Sequence, residues 1–113
     1  MTQQDQSETG TEMIEQSANI DAPDGWHWGI GESSSSYYTV WLYTDKPLYD
    51  DGEFGWECEI YWDNGGQHQV LFQQITRMKP NGDYEYSYPQ HTASFDNHID
   101  AVTYAISKAT ELR

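Results

Sequence analysis

The stretch Gly55-Trp56-Glu57-Cys58-Glu59-Ile60-Tyr61-Trp62 decides how this chain is read. In an extended strand, successive side chains point to opposite faces. Trp56, Cys58, Ile60 and Trp62 then share one side, and Glu57, Glu59 and Tyr61 the other. Two carboxylates will not face an apolar layer unpaired. The first set is therefore the core side of a β-sheet, and the second is its outer side.

Four more β-like runs surround this one, at 26–31, 37–44, 67–77 and 83–88, each bounded by turn residues. Alternation aligns Val40, Leu42, Val70 and Phe72 with the core side, together with Trp26, Trp28 and Ile30. In the last run Tyr84, Tyr86 and Tyr88 oppose Glu85 and Ser87. Asp63-Asn64-Gly65-Gly66 is the strongest hairpin signal, because Asn-Gly tolerates φ > 0 at both central positions. Pro80-Asn81-Gly82-Asp83 is nearly as good. A serine link at 32–36 and a loop from Asp45-Lys46-Pro47 to Asp50-Asp51-Gly52-Glu53 make the other connections. Links this short force neighbouring strands to run antiparallel.

The chain ends on a helical pattern from about Asp96 to Leu112. At about 100° per residue, Ile99, Ala101, Val102, Ala105, Ile106, Ala109 and Leu112 gather on one face, with Tyr104 outside it. Ser94 or Asp96 can serve as N-cap. An amphipathic helix needs an apolar sheet face to lie on. The expectation is an α+β domain over 25–113: a five-stranded antiparallel sheet with one C-terminal helix on one face.

Residues 1–24 carry six acids and no Lys or Arg, and Met13 and Ile14 are their main apolar side chains. Such a segment buries too little apolar area to offset its ordering entropy, so it reads as a disordered acidic arm. Thr9 and Glu12 have capping-box spacing, which allows a short helix near 10–18.

Composition narrows the function classes. The 113 residues carry a net charge of -14, yet 15 % are aromatic, too much for a wholly disordered chain. The charge argues against direct nucleic-acid binding, which needs a basic footprint. No apolar run approaches the roughly 18–20 residues that span a bilayer. The opening MTQQDQSETG has neither a basic start nor an apolar segment, so a cytoplasmic location is expected. The single cysteine, Cys58, falls between Trp56 and Ile60 on the core side and reads as a small buried hydrophobe. His27, His68, His91 and His98 show no zinc spacing, and His98 falls within the apolar arc of the helix. Asp50, Asp51, Glu53 and Asp63 could offer oxygens to a hard cation, but the ordered spacing of a calcium loop is missing, and no metal or cofactor is expected.

The outer face holds the candidate site. Tyr37, Trp41, Tyr43, Glu57, Glu59, Tyr61, Leu71 and Ile75 fall there. That is too aromatic for an ordinary wet face, so something covers it or it binds something. The arm, the 45–54 loop and a second copy of the chain are candidate covers. Fourteen of the nineteen acids but only Lys46 among the bases lie in residues 1–63, an asymmetry that favours a directed negative patch. The composition also matches adaptation to high salt, which would spread acids everywhere. Paired glutamates beside aromatics bring glycosidases to mind, but a chain this short offers no deep cleft, and no enzyme activity is expected.

The preferred expectation is a non-enzymatic interaction module that docks a basic protein. It would use Trp41, Tyr43, Glu57, Glu59 and Tyr61, with Asp50, Asp51 and Glu53 adding charge, and it could occupy a nucleic-acid-binding protein by imitating nucleic-acid charge. The alternatives are a small-ligand or sugar-binding module on the same face, or a halophile-type acidic domain.

Overall fold

The structure is a computed structural model that describes residues 9–29, 31–63 and 65–113. Two helices, α1 (Gly10–Ala18) and α2 (His98–Leu112), flank seven strands. These are β1 (Trp26–Trp28), β2 (Glu32–Ser33), β3 (Tyr37–Thr44), β4 (Trp56–Asp63), β5 (His68–Met78), β6 (Tyr84–Tyr86) and β7 (His91–Phe95).

The sheet is antiparallel throughout, in the order β1-β3-β4-β5-β6, with β2 also on β3 and β7 also on β5. The expected five strands are thus seven, and the reason is local. β1 and β2 lie end to end along one edge of β3, pairing Trp28 with Leu42 and then Glu32 with Thr39. The strand expected over 26–31 breaks there, around Gly29 and Gly31; its Ile30 lies outside the described residues. β6 and β7 likewise share one edge of β5, separated by Ser87-Tyr88-Pro89-Gln90. Glycine and proline interrupt pairing, and short broken edges resist pairing with another chain. The hairpin turns fall where the sequence puts them, with Gly65 at φ 86° and Gly82 at φ 94°; Asn64 lies outside the described residues.

The inner face holds Tyr38, Val40, Leu42, Cys58, Ile60, Val70 and Phe72, each no more than 4 % exposed. α2 covers it across β5, β7 and β4, burying Ala101, Val102, Ala105 and Ala109. The helix begins two residues later than expected, and its N-cap is Asn97, whose Oδ1 accepts from the Asp100 N–H at 2.9 Å. Its seam runs along His98, Ala101 and Ala105. Ile99 is left 49 % exposed, Ile106 is half-buried, and Tyr104 packs on Phe95 at 5.3 Å between ring centroids.

The expected disordered arm is corrected over its described part. Residues 9–18 form the capping-box helix: Thr9 Oγ1 accepts from the Glu12 N–H at 3.2 Å, and Glu12 Oε1 accepts from the Thr9 N–H at 2.8 Å. α1 lies against β3 and β2 on the inner side, burying Met13 to 7 % exposure. Its first residue must be glycine, since a Cβ at Gly10 would collide with the Tyr37 carbonyl. Counting acids hid this docking, because Ser17, a polar residue, does much of it. The rest of the arm, residues 1–8, lies outside the described residues.

Ser17 belongs to a buried hydrogen-bond chain joining both helices to the sheet. Its hydroxyl donates to the Met13 carbonyl at 3.1 Å and meets His98 Nε2 at 2.6 Å. His98 Nδ1 lies 2.8 Å from the Tyr38 hydroxyl, which lies 2.9 Å from His68 Nδ1. One proton per hydroxyl sets the polarity. With the Ser17 proton given to Met13, His98 donates from Nε2 and accepts at Nδ1 from Tyr38, which in turn accepts from His68. Burial holds the His98 pKa down, at about 4, and neighbouring His68 adds to the shift. The half-buried core histidine expected from the sequence is fully buried and neutral.

Candidate binding face

Both helices lie on the inner face, so among the described residues no helix crosses the outer one. Across it, the pairing register sets three rows. Tyr43 faces Glu57, which faces Gln73; Trp41 faces Glu59, which faces Leu71; Thr39 faces Tyr61, which faces Gln69. The structure therefore brings together Trp41, Tyr43, Glu57, Glu59 and Tyr61, all half-buried. β1 adds His27 beside Tyr43, with ring centroids 5.6 Å apart. Gly29 matters here, because a side chain at that position would strike the Tyr43 ring.

The polar groups of this face divide into two kinds. Gln73 Nε2 donates to the Ser87 carbonyl at 3.0 Å, and Gln69 Oε1 accepts from the Ser94 hydroxyl at 2.6 Å. Glu57 and Glu59 have no hydrogen bond or ion pair with any described residue. Arg77, Lys108 and Arg113 pair with Glu85, Glu111 and Asp51 instead. Burial raises the pKa of both glutamates, and for Glu57 the neighbouring Glu59 charge adds to the effect. The same two charges, after burial, push the Tyr43 hydroxyl upward.

The three loop acids stand apart from this face. Asp51 Oδ1 accepts from the Glu53 N–H at 2.9 Å, and Asp51 Oδ2 pairs with Arg113 at 3.4 Å at the end of α2, on the opposite side of the sheet. Asp50 and Glu53 are exposed in the same turn. Glu12 and Glu15 project from α1, also on the inner side. The acidic half of the sequence is therefore not one patch. Among the described residues no three acids, histidines or cysteines gather as metal ligands, and Cys58 is fully buried, with its thiol pKa pushed well up by that burial.

At one end of the face lies a cavity of about 290 Å³ that the sequence reading missed. It opens where β4 has not yet begun, between the end of β3 and the β5–β6 hairpin. Tyr43, Tyr84, Tyr86 and His27 line it, with Asp45 the acidic residue and Ile75, 6 % exposed, among the buried ones. Tyr86 pairs with Ile75 across the hairpin, which turns it to the outer side. The pKa of its hydroxyl is raised to about 12, by burial first and then by Glu57. The signal was present in Tyr84-Glu85-Tyr86, but its side depended on a bulge between Ile75 and Arg77.

No family model, no curated protein and no solved structure matches this chain. No helix among the described residues is long and apolar enough to cross a membrane.

Proposed function

We propose that the chain is a non-enzymatic interaction module that docks a basic protein on the outer face of its sheet. One observation carries the reading: Glu57 and Glu59 are half-buried among Trp41, Tyr43 and Tyr61, and their carboxylates have no cation or donor among the described residues. Carboxylates held this way cost stability in the free protein, and an incoming Arg or Lys would relieve that cost. The aromatic rings beside them add stacking and cation–π contact, and Trp and Tyr are common anchors of interface hot spots. A symmetric homodimer through this face is disfavoured, because it would bring four glutamates together with no cation between them. A nucleic-acid-binding protein is one basic partner that such a face could occupy.

Calorimetric titration of an Arg/Lys-rich peptide across a range of sodium chloride tests this. Wild type should bind, and bind more weakly as salt rises. The Glu57→Gln/Glu59→Gln double variant should bind about tenfold more weakly and with a shallower salt dependence. Equal binding by the two proteins would remove the face from consideration. Saturable, salt-independent binding of a neutral oligosaccharide would put the sugar-binding alternative in its place.

A further inference from the structure

We infer that the cavity walled by Tyr43, Tyr84 and Tyr86 receives the trimethylammonium head of a methylated lysine on the basic partner. This rests on the docking reading above and names the group that the partner inserts.

The walls come from separate elements. His27 and Tyr43 stand on β1 and β3, and Tyr84 and Tyr86 on β6, with β4 and β5 between them in the sheet order. The Tyr84 and Tyr86 rings stand 88° apart in plane with centroids 6.5 Å apart, so they form a corner and not a flat stacking surface. His27 and Tyr43 line the same open-sided cavity, so a rounded group lodged there meets rings from three strands. Aromatic faces attract cations through the ring quadrupole, and enclosure by several rings suits quaternary ammonium.

The hydrogen-bonding inventory separates the candidate cations. An unmodified lysine ammonium brings three donors and a tight hydration shell, and a guanidinium brings five donors. The acidic residue lining the cavity, Asp45, gives Oδ1 to His27 Nδ1 at 3.0 Å and is 54 % exposed, so it stays at the wet edge of the cavity. A trimethylated head needs no acceptor and sheds water readily, so it loses least on entering. Its charge is met by Glu57, which sits directly across from Tyr43 and acts on the Tyr86 hydroxyl. At about 290 Å³ the space holds the head and its nearest methylenes, and falls at the lower limit for organic ligands.

The test is a pair of otherwise identical basic peptides, one carrying trimethyllysine and one plain lysine, titrated with amide chemical shifts and calorimetry. The trimethylated peptide should bind about tenfold more tightly and shift the amides of Tyr43, Tyr84 and Tyr86. Tetramethylammonium chloride should shift the same amides and compete with it. Tyr84→Ala, at a site already 38 % exposed, should bring the affinity for the trimethylated peptide down to that for the plain one. Tyr86→Phe should retain the preference, since the ring face remains. Equal affinity for the two peptides overturns the cavity assignment and leaves the docking face standing. Tetramethylammonium binding with neither peptide bound overturns both, and marks the cavity as a site for a free quaternary ammonium compound. If Tyr84→Ala leaves the preference intact, the cage is not where the methyl groups go.

Discussion

The two faces of this sheet are built from alternate residues of the same strands, and they obey opposite rules. On the inner side, Cys58 and Ile60 are fully buried, and the polar groups among them are threaded into the Ser17–His98–Tyr38–His68 chain. Among the described residues, the Trp26 indole N–H is the buried side-chain polar atom without a partner. On the outer side, one residue away in each case, the Glu57 and Glu59 carboxylates sit half-buried with none among the described residues. Packing accounts for the first face. The second contains groups that a sequence selected only for folding would have replaced, and proteins commonly give up stability where a surface has to bind.

The largest break in that contrast should come from truncating each face in turn. Phe72→Ala removes a fully buried ring at the centre of the inner face and should cost about 3–5 kcal/mol. Tyr61→Ala, on the half-buried outer side, should cost about 1 kcal/mol. Urea midpoints for the two variants check the difference, and equal costs would mean that the outer face is core.

The inner face can be sharpened through its polar chain. Tyr38→Phe keeps the ring and removes the hydroxyl that both buried imidazoles meet, at about 1–3 kcal/mol. The chain also sets a pH dependence. The pKa of His98 in the folded protein, about 4, lies below its ordinary 6.5, so folding favours the neutral ring. That contribution is complete above about pH 6.5, falls as pH drops, and is gone below about pH 4. His98→Gln should be less stable than wild type at pH 7 and should lose less stability than wild type between pH 6.5 and pH 4. Parallel losses in the two proteins would place the acid sensitivity elsewhere.

How much of this was legible beforehand follows the physics of each element. The alternation in 55–62 fixed the sides of β4, and the Asn-Gly turns fixed the pairing of β4 with β5 and of β5 with β6. β7 was hidden because His91-Thr92-Ala93-Ser94-Phe95 is small and polar, and its alternation gains meaning only against β5. α1 was legible as a helix through Thr9 and Glu12, but not as a docked one, because its anchor Ser17 gains its partner from a residue 81 positions away. The helix pattern of α2 placed Ile106 in the core and Tyr104 outside it. The structure makes both half-buried, since the buried seam runs along His98, Ala101, Val102, Ala105 and Ala109 and leaves Ile106 and Tyr104 on its two flanks. Trp41, Tyr43, Glu57, Glu59 and Tyr61 were legible as one face because pairing follows parity. Asp50, Asp51 and Glu53 were joined to them by charge alone, and charge does not specify direction. Tyr84 and Tyr86 were missed because a one-residue bulge decides their side.

A smaller effect is expected from Trp41→Ala. The indole is half-buried on the outer face, in the row of Glu59, so its removal should cost about 1 kcal/mol while weakening the binding of the basic peptide severalfold. Sedimentation of the variant and the wild type should match. A change in mass would identify the face as a contact between copies of the chain.

The smallest effect on stability is also the one with an unusual sign. Removing charged side chains from a folded protein ordinarily costs stability or changes nothing. Here burial, and for Glu57 the neighbouring charge, raise both carboxyl pKa values above the unfolded ones. The folded state thus favours the protonated form, and the contribution is present at low pH and lost as pH rises through the folded values. As pH rises and the groups ionise, the folded protein bears the penalty. Glu57→Gln/Glu59→Gln should therefore melt higher than wild type at pH 7, by up to about 4 °C. The gain should shrink on acidification and vanish below the ordinary carboxylate range, where wild type is itself neutral at these positions. High salt should also shrink it, by screening the repulsion between the two groups. A variant that melts lower at pH 7 would mean that the glutamates are paired in solution, and the face would then resemble the inner one, with no open demand for a cation.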